Sequence, residues 1–403
     1  MVVITETSDD FNCGDPGTNK NSQQLQNKRK KVEKNTSFHI PDGIAEIILA
    51  KVRRRGYPVL TLVSKTFRGL IVTPRLHDLR LRLGATEPIL YACVGSTLFL
   101  RGPRWCILYR KPYSNLPNTV SVRLLEIDSL PPMPWGSAVV TIGHEMYVIG
   151  GCVGLTRTNV VFVIDCRFHT YRFLPSMRVA RCGAAAGVFN GKIFIVGGCE
   201  MRAMDWMETF DIKGNFWIRG RWTTGIPPYV SSKFVTYAVM EKKIYILGER
   251  MCYTYTPGEQ GGLLEYVMPG EFMSFFWQES SCVIDGLLFS TNPQRGLGAS
   301  PIIIYDPKQK IWRPLTGLQG FPANILLHSS KMANFGGKLV ILGPDEYWYF
   351  LNKGKREIWC VEIALERRQG GEISGKVESV AVVLTVPQPE SLASIDVCAT
   401  VTI

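Results

Sequence analysis

The side chains able to do covalent or metal chemistry are few and poorly spaced for it. Of the five histidines, His39 and His77 lie towards the amino end, while His144, His169 and His328 stand far apart with no pair at a metal-ligand interval. The eleven cysteines run from Cys13 to Cys398 without a C-x-x-C pair, which disfavours a disulfide framework or a zinc site and fits reduced thiols in cytosol or nucleus. No G-x-S-x-G elbow supports a nucleophilic serine, and no P-loop or dinucleotide fingerprint precedes a helix. Cys152 and Cys199 each follow a glycine pair and read as small packed side chains. Asp165, Asp211 and Asp306 recur at one repeat position and read as turn formers, not as an acid and a base. What remains is charge that can bind. Arg157, Arg178, Arg181 and Arg202 fall in loops after glycine pairs or between strand units, where they could meet an acidic segment of a protein substrate. The expectation is a binding protein with no catalytic residue, no metal and no cofactor.

Three regions must position those residues. The chain has 403 residues, 46% hydrophobic and 20% charged, proportions that exclude a wholly disordered chain or a coiled-coil rod. No run approaches the length of a membrane-spanning helix, and Met1 to Phe11 carries acids where a signal peptide would be apolar, so neither membrane insertion nor secretion is expected. Residues 1–36 are rich in Asn, Ser, Gln, Lys and Asp and read as a flexible tail. Its run Lys28, Arg29, Lys30, Lys31 suits a nuclear import signal, a weak nucleic-acid contact or a solvated charge cluster; no nucleic-acid-binding pattern accompanies it, so no specific nucleic-acid partner is expected.

Residues 37–84 form the second region. Ile40, Ile44, Ile47, Ile48 and Val52 are spaced by threes and fours, painting one face of a helix with Pro41 in its first turn. Leu60, Val63, Phe67, Leu70 and Ile71 form a second stripe that Pro74 should stop, giving two or three short helices. Between Phe38 and Gly84 nine basic residues face three acids, so the segment favours an anionic neighbour. So few residues cannot build a large core, and the apolar stripes must dock on something else.

From residue 87 to residue 403 short Val-, Ile- and aromatic-rich runs alternate with Gly and Pro, the pattern of strands. Five segments align: IGHEMYVIGG, FNGKIFIVGG, MEKKIYILGE, IDGLLFSTNP and FGGKLVILGP, with Gly150, Gly197, Gly248, Asn292 and Gly343 at intervals of 47, 51, 44 and 51. In three units an aspartate (Asp165, Asp211, Asp306) precedes an aromatic (Tyr171, Trp217, Trp312) by six residues. A unit near fifty residues, four strands long and apolar on both faces, must stack on its neighbours and close into a ring, here taken as about six blades with five or seven as the alternatives. The glycine pairs should relieve crowding where strands leave the packed centre, and the later aromatics should fill gaps between sheets. Ile373 to Val386 or Ile395 to Ile403 should close the ring.

With both halves in hand, the sequence resembles the large plant family of F-box proteins carrying kelch repeats. IPDGIAEIILAKV followed by YPVLTLVSKTFRGLIVTPRL is similar to an F-box, with Phe67 where a tryptophan is frequent and Gly43 where an acidic residue is usual; PRWCILYRKP and EIWCVEIALERR are also similar to this group. The resemblance implies a kelch-type β-propeller behind a small helical F-box, and a substrate receptor for a Skp1–cullin–F-box ubiquitin ligase. Ile40, Pro41, Asp42, Ile44, Ile48, Leu60, Val63, Phe67, Leu70 and Ile71 would then dock an acidic Skp1-like adaptor, and through it a cullin. The propeller loops would hold a protein substrate, with catalysis in another subunit. Two alternatives stay open: a kelch scaffold acting without a ligase, and a copper-dependent kelch oxidase.

Overall fold

The computed structural model describes residues 40–96, 102–112, 120–200, 206–220, 234–249, 251–258, 262–267, 272–294, 299–345, 355–368, 371–387 and 393–403. The expected tail, and Phe38 and His39, lie outside them. The chain divides into two compact units, Met1–Ala45 and Glu46–Ile403.

The helical part contains α1 (Asp42–Lys51), a 3-10 turn at Arg54–Gly56, α2 (Tyr57–Val63), α3 (Lys65–Ile71) and α4 (Pro74–Arg82). The second apolar stripe is therefore two helices, because Ser64 adopts an extended conformation and its hydroxyl accepts from the Phe67 amide, capping α3. Pro74 does not simply stop the pattern. It occupies the first turn of α4, where its missing N–H costs nothing, behind a Thr73 cap that accepts from the Leu76 amide. Four α-helices thus replace the expected two or three. They share a small core of Leu49, Ala50, Tyr57 and Leu76.

The rest, among the described residues, is six four-stranded antiparallel sheets, one two-stranded hairpin and a single-turn helix at Met273–Phe276. Blades 2 to 6 begin at Ala138, Ala185, Thr236, Ser281 and Lys331, each starting a first strand. The five aligned segments are the turn and second strand of these blades: Glu145–Ile149, Lys192–Val196, Lys243–Leu247, Leu287–Thr291 and Lys338–Pro344. Four of the turns place two successive residues at positive φ, as at Asn190 and Gly191 or Asp285 and Gly286, the geometry whose twist matches a two-residue hairpin. Blade 1 is assembled from both ends of the propeller. Pro88–Ser96, Arg104–Pro112 and Val120–Glu126 are joined by Ala393–Thr402, which pairs with the first of them from Pro88↔Thr402 to Ser96↔Ala393. The second of the two expected closing segments therefore closes the ring, and Ile373–Pro387 is the outer strand of blade 6.

The stability of the ring resides in the seams. Blades 2 and 3 meet through Ile149, Val161, Ala186, Ile195 and Phe210, and blades 6 and 1 through Val340, Leu342, Leu90 and Ala92. Similar buried clusters fill every other seam. Each sheet is thus apolar on both faces, and no blade could keep its faces dry alone. The aspartates behave as turn formers: Asp165 accepts from the Arg167 amide, Asp211 from Gly214 and Asp306 from Lys308. Trp217 and Trp312 lie in seams and stack on Phe210 and Tyr305 at 5.0 and 5.1 Å. Tyr171 departs from the expectation. It sits on an outer strand facing solvent, edge-on to Phe162, and fills no gap.

Candidate functional site

In the helical part, partition between core and surface is the useful measure. Leu60, Phe67, Leu70 and Ile71 are half-buried and pack on the small core, so they hold the helices together before they can meet a partner. Ile40, Pro41, Asp42, Ile44 and Ile48 are exposed, and Val63 is 70% exposed. Sequence reasoning missed Val59, Leu62 and Val72 and left Ile47, which it placed on the first stripe, out of the adaptor contacts; all four are exposed, with Leu62 at 80%. The signal was available: α2 reads YPVLTLV, apolar on every side, and a seven-residue helix cannot bury its whole circumference in so small a core. Each such side chain left in water forgoes about 1.5–3 kcal/mol of burial, which an apolar partner surface would recover.

The basic residues of this segment divide likewise. Arg80 is buried and internal, donating from Nη1 to the Ala50 and Val52 carbonyls at 3.1 and 2.7 Å and to the Tyr57 hydroxyl at 3.1 Å, and from Nη2 to Glu87 at 3.1 Å. The Arg54 amide donates to the same Glu87 oxygen at 2.8 Å, and its guanidinium to the Arg167 carbonyl at 3.1 Å. Arg53, Arg55, Lys65 and Arg68 remain exposed, and Arg75, also exposed, pairs with Glu46 at 3.0 Å. The positive field available to an anionic partner is thus smaller than the sequence count implies. His77 packs edge-on against Phe168 at 5.2 Å, and burial, with Arg54, Arg167 and Arg80 nearby, pushes it down to about 4.

These contacts fix which end of the propeller the helices occupy. Arg167 and Phe168 are in the turn joining the third and fourth strands of blade 2, and Glu87 pairs with Ile403 where blade 1 joins its closing strand. Because strands alternate in direction, the loops after the glycine pairs and the links between blades lie at the opposite end. Those are the loops expected to meet substrate.

The four arginines placed there by sequence have different fates. Arg157 is half-buried in a small hairpin, Cys152–Val153 against Thr156–Arg157. Arg178 is exposed, and its amide donates to Glu208 at 2.7 Å. Arg202 lies outside the described residues. Arg181 is a correction: it is 1% exposed, donates to the Gly197 and Trp206 carbonyls at 2.6 and 2.9 Å and pairs with buried Glu208 at 3.0 Å. It anchors the link from blade 2 to blade 3 and does not reach a surface ligand. Sequence could not separate Arg181 from Arg178, since burial there depends on a carboxylate in a strand of the next blade.

The glycine pairs explain the close fit. Gly150 sits at φ +64°, where a Cβ would come 2.6 Å from the Arg181 carbonyl oxygen, and a Cβ on Gly197 would strike the Phe234 ring. Cys199 is buried and its thiol is pushed up by that burial, whereas Cys152 is only half-buried. Among the described residues no group of three or more His, Cys, Asp and Glu is placed to hold a metal ion. At the end away from the helices the ring opens in a cavity of about 630 Å³ lined in part by Trp135, Glu249, Glu279, Lys331 and Asp396.

A family model for the FKB95-type kelch-repeats domain matches residues 105–384. An F-box/kelch-repeat protein of Arabidopsis thaliana is 45% identical, with all of both chains covered. A kelch repeat-containing protein of the same plant is 41% identical over all of both, and a further F-box/kelch-repeat protein 40% identical over 95% of each.

Proposed function

The chain belongs to the plant F-box/kelch-repeat proteins, and from that premise we propose that it is the substrate-recognition subunit of a Skp1–cullin–F-box ubiquitin ligase. The observation that carries this reading is the set of apolar side chains left in water on α1 and α2, above all Leu62 and Val63, in a segment rich in exposed arginine and lysine. An apolar surface rimmed by positive charge is complementary to an acidic adaptor of the Skp1 type, with burial supplying affinity and charge supplying register and on-rate. Ile40, Pro41, Asp42, Ile44, Ile48 and Val63 would touch the adaptor directly. Leu60, Phe67, Leu70 and Ile71 would act through the helix packing that presents them. The propeller then holds a protein substrate at the end away from the helices and supplies no catalytic group. The cysteines of the described residues, none of them in a disulfide, fit residence in cytoplasm or nucleus.

The test is capture of a plant Skp1-like adaptor by the purified chain, comparing wild type with a Leu62→Asp, Val63→Asp variant of unchanged circular dichroism. Capture by the wild type, lost in the variant, supports the reading. A folded wild type that captures no adaptor removes it in favour of a kelch scaffold working without a ligase, the reading favoured by relatives that are named for kelch repeats alone.

A further inference from the structure

We propose that the open mouth of the propeller takes a basic, apolar-flanked segment of its protein substrate, a lysine or arginine side chain entering the cavity while a neighbouring apolar residue packs on the rim. This deepens, and rests on, the substrate-receptor reading above.

The argument begins with sign. The protein carries a formal charge of +12, yet among the described residues those lining this cavity include three carboxylates, Glu249, Glu279 and Asp396, against one lysine, Lys331, and one histidine, His328. Lys331 is already matched, its Nζ lying 2.6 Å from Glu279 Oε1. Asp396 has only the Ser394 hydroxyl at 3.0 Å as a donor among the described residues, and burial raises its carboxyl, with Ser394 and Lys331 opposing and Glu279 adding to the effect. A cation beside Asp396 and Glu249 would favour both carboxylates in their charged form, Asp396 being the one drawn out of water. An acidic segment would meet repulsion instead, and Arg181, which would have countered it from the surface, is internal.

The rim supplies the apolar half. Trp135 lines the cavity and is 49% exposed, and its backbone exchanges two hydrogen bonds with Cys152, at 3.0 and 2.7 Å, at the root of the hairpin. That hairpin carries Val153 and Leu155, both in water, the latter at the turn beside Gly154. Cavity, indole and hairpin are thus one continuous surface. A volume of about 630 Å³ suits one long side chain and part of its flanking backbone, within the ordinary range of ligand sites.

The probe is a displayed library of random twelve-residue peptides selected on the full chain. Selection is expected to enrich Lys or Arg within four residues of Leu, Ile, Val or Phe. A selected peptide should bind at least about tenfold more weakly, on the scale of one lost charge pair, to a Glu249→Gln, Asp396→Asn variant. It should also bind more weakly to a Val153→Ser, Leu155→Ser variant. Enrichment of acidic peptides, no enrichment, or equal binding to the carboxamide variant overturns the proposal. Adaptor capture, read on the same preparations and expected to be the same in all three proteins, reports separately on the ligase role.

Discussion

Arg181 and Glu208 form an ion pair with both side chains out of water, Nη2 to Oε1 at 3.0 Å, and the same carboxylate accepts from the amides of Arg178 and Val179. One carboxylate therefore secures the guanidinium and the main chain of the link between blades 2 and 3. Removing only one partner strands the other's charge in the interior. Arg181→Ala is expected to cost about 3–5 kcal/mol in urea unfolding, and Arg181→Lys most of that, because an ammonium cannot serve two carbonyls and a carboxylate in the same fork. A loss below about 1 kcal/mol would mean that water reaches Glu208.

The helical part should separate folding from binding. Leu76→Ala removes a side chain from a core of four buried residues and is expected to lower stability by about 2–5 kcal/mol. Leu62→Asp and Val63→Asp place charge where water already stands and should leave the thermal midpoint unchanged while abolishing adaptor capture. Thermal melts and capture on the same variants check both, and a large drop in melting for the aspartate variants would show that those side chains are structural.

His77 should make the protein acid-sensitive. Its imidazole is pushed down to about 4 from the usual 6.5, first by burial and then by Arg54, Arg167 and Arg80, with Asp165 opposing them; Nδ1 has no hydrogen-bond partner among the described residues. The unfolded chain therefore takes up a proton there that the folded protein refuses. Stability from this group is full above pH 6.5 and falls as pH drops towards 4, by about 2–3 kcal/mol over that window. Urea midpoints measured between about pH 7.5 and 4.5 should fall less steeply in His77→Phe. Equal slopes in the two proteins would place the acid sensitivity elsewhere.

Much of the fold was legible because the repeat is a packing rule written in residues. The glycine pairs, the turn residues before each second strand and the aspartate six residues before an aromatic each answer a local steric demand, so five blades align on them. Blade 1 carries no such signature. Between Pro88 and Glu126 there is neither a glycine pair nor an aspartate to set the interval, and its fourth strand comes from the far end of the propeller. Surface function was less legible. The stripe Leu60, Phe67, Leu70 was visible, but a stripe does not say whether its partner is inside or outside the chain. Glu249, Glu279 and Asp396 gave no signal, since they meet only when separate blades converge on one opening.

Two glycines should respond in opposite directions to the same methyl group. Gly43 lies in α1 at an ordinary φ, and a Cβ added there would meet nothing within 4 Å, so Gly43→Ala is expected to stabilise that helix by up to about 1 kcal/mol. At Gly150 the positive φ and the Arg181 carbonyl leave no room, and Gly150→Ala should cost about 1–3 kcal/mol. Denaturant titration of the two variants decides. Tolerance of alanine at Gly150 would mean the link between blades 2 and 3 can move aside.

The strand Ala393–Thr402 also sets a timetable. Blade 1 is the first sheet to leave the ribosome, with three of its strands, yet the edge at Pro88–Ser96 waits for a partner made after all the other blades. Through that interval the nascent protein carries an unpaired strand and the unsealed apolar faces beside it, features that invite wrong partners. Joining residue 88 to residue 402 is also a long loop closure, which slows the final step. The ring is thus most open to misassembly and proteolysis until that closing strand emerges.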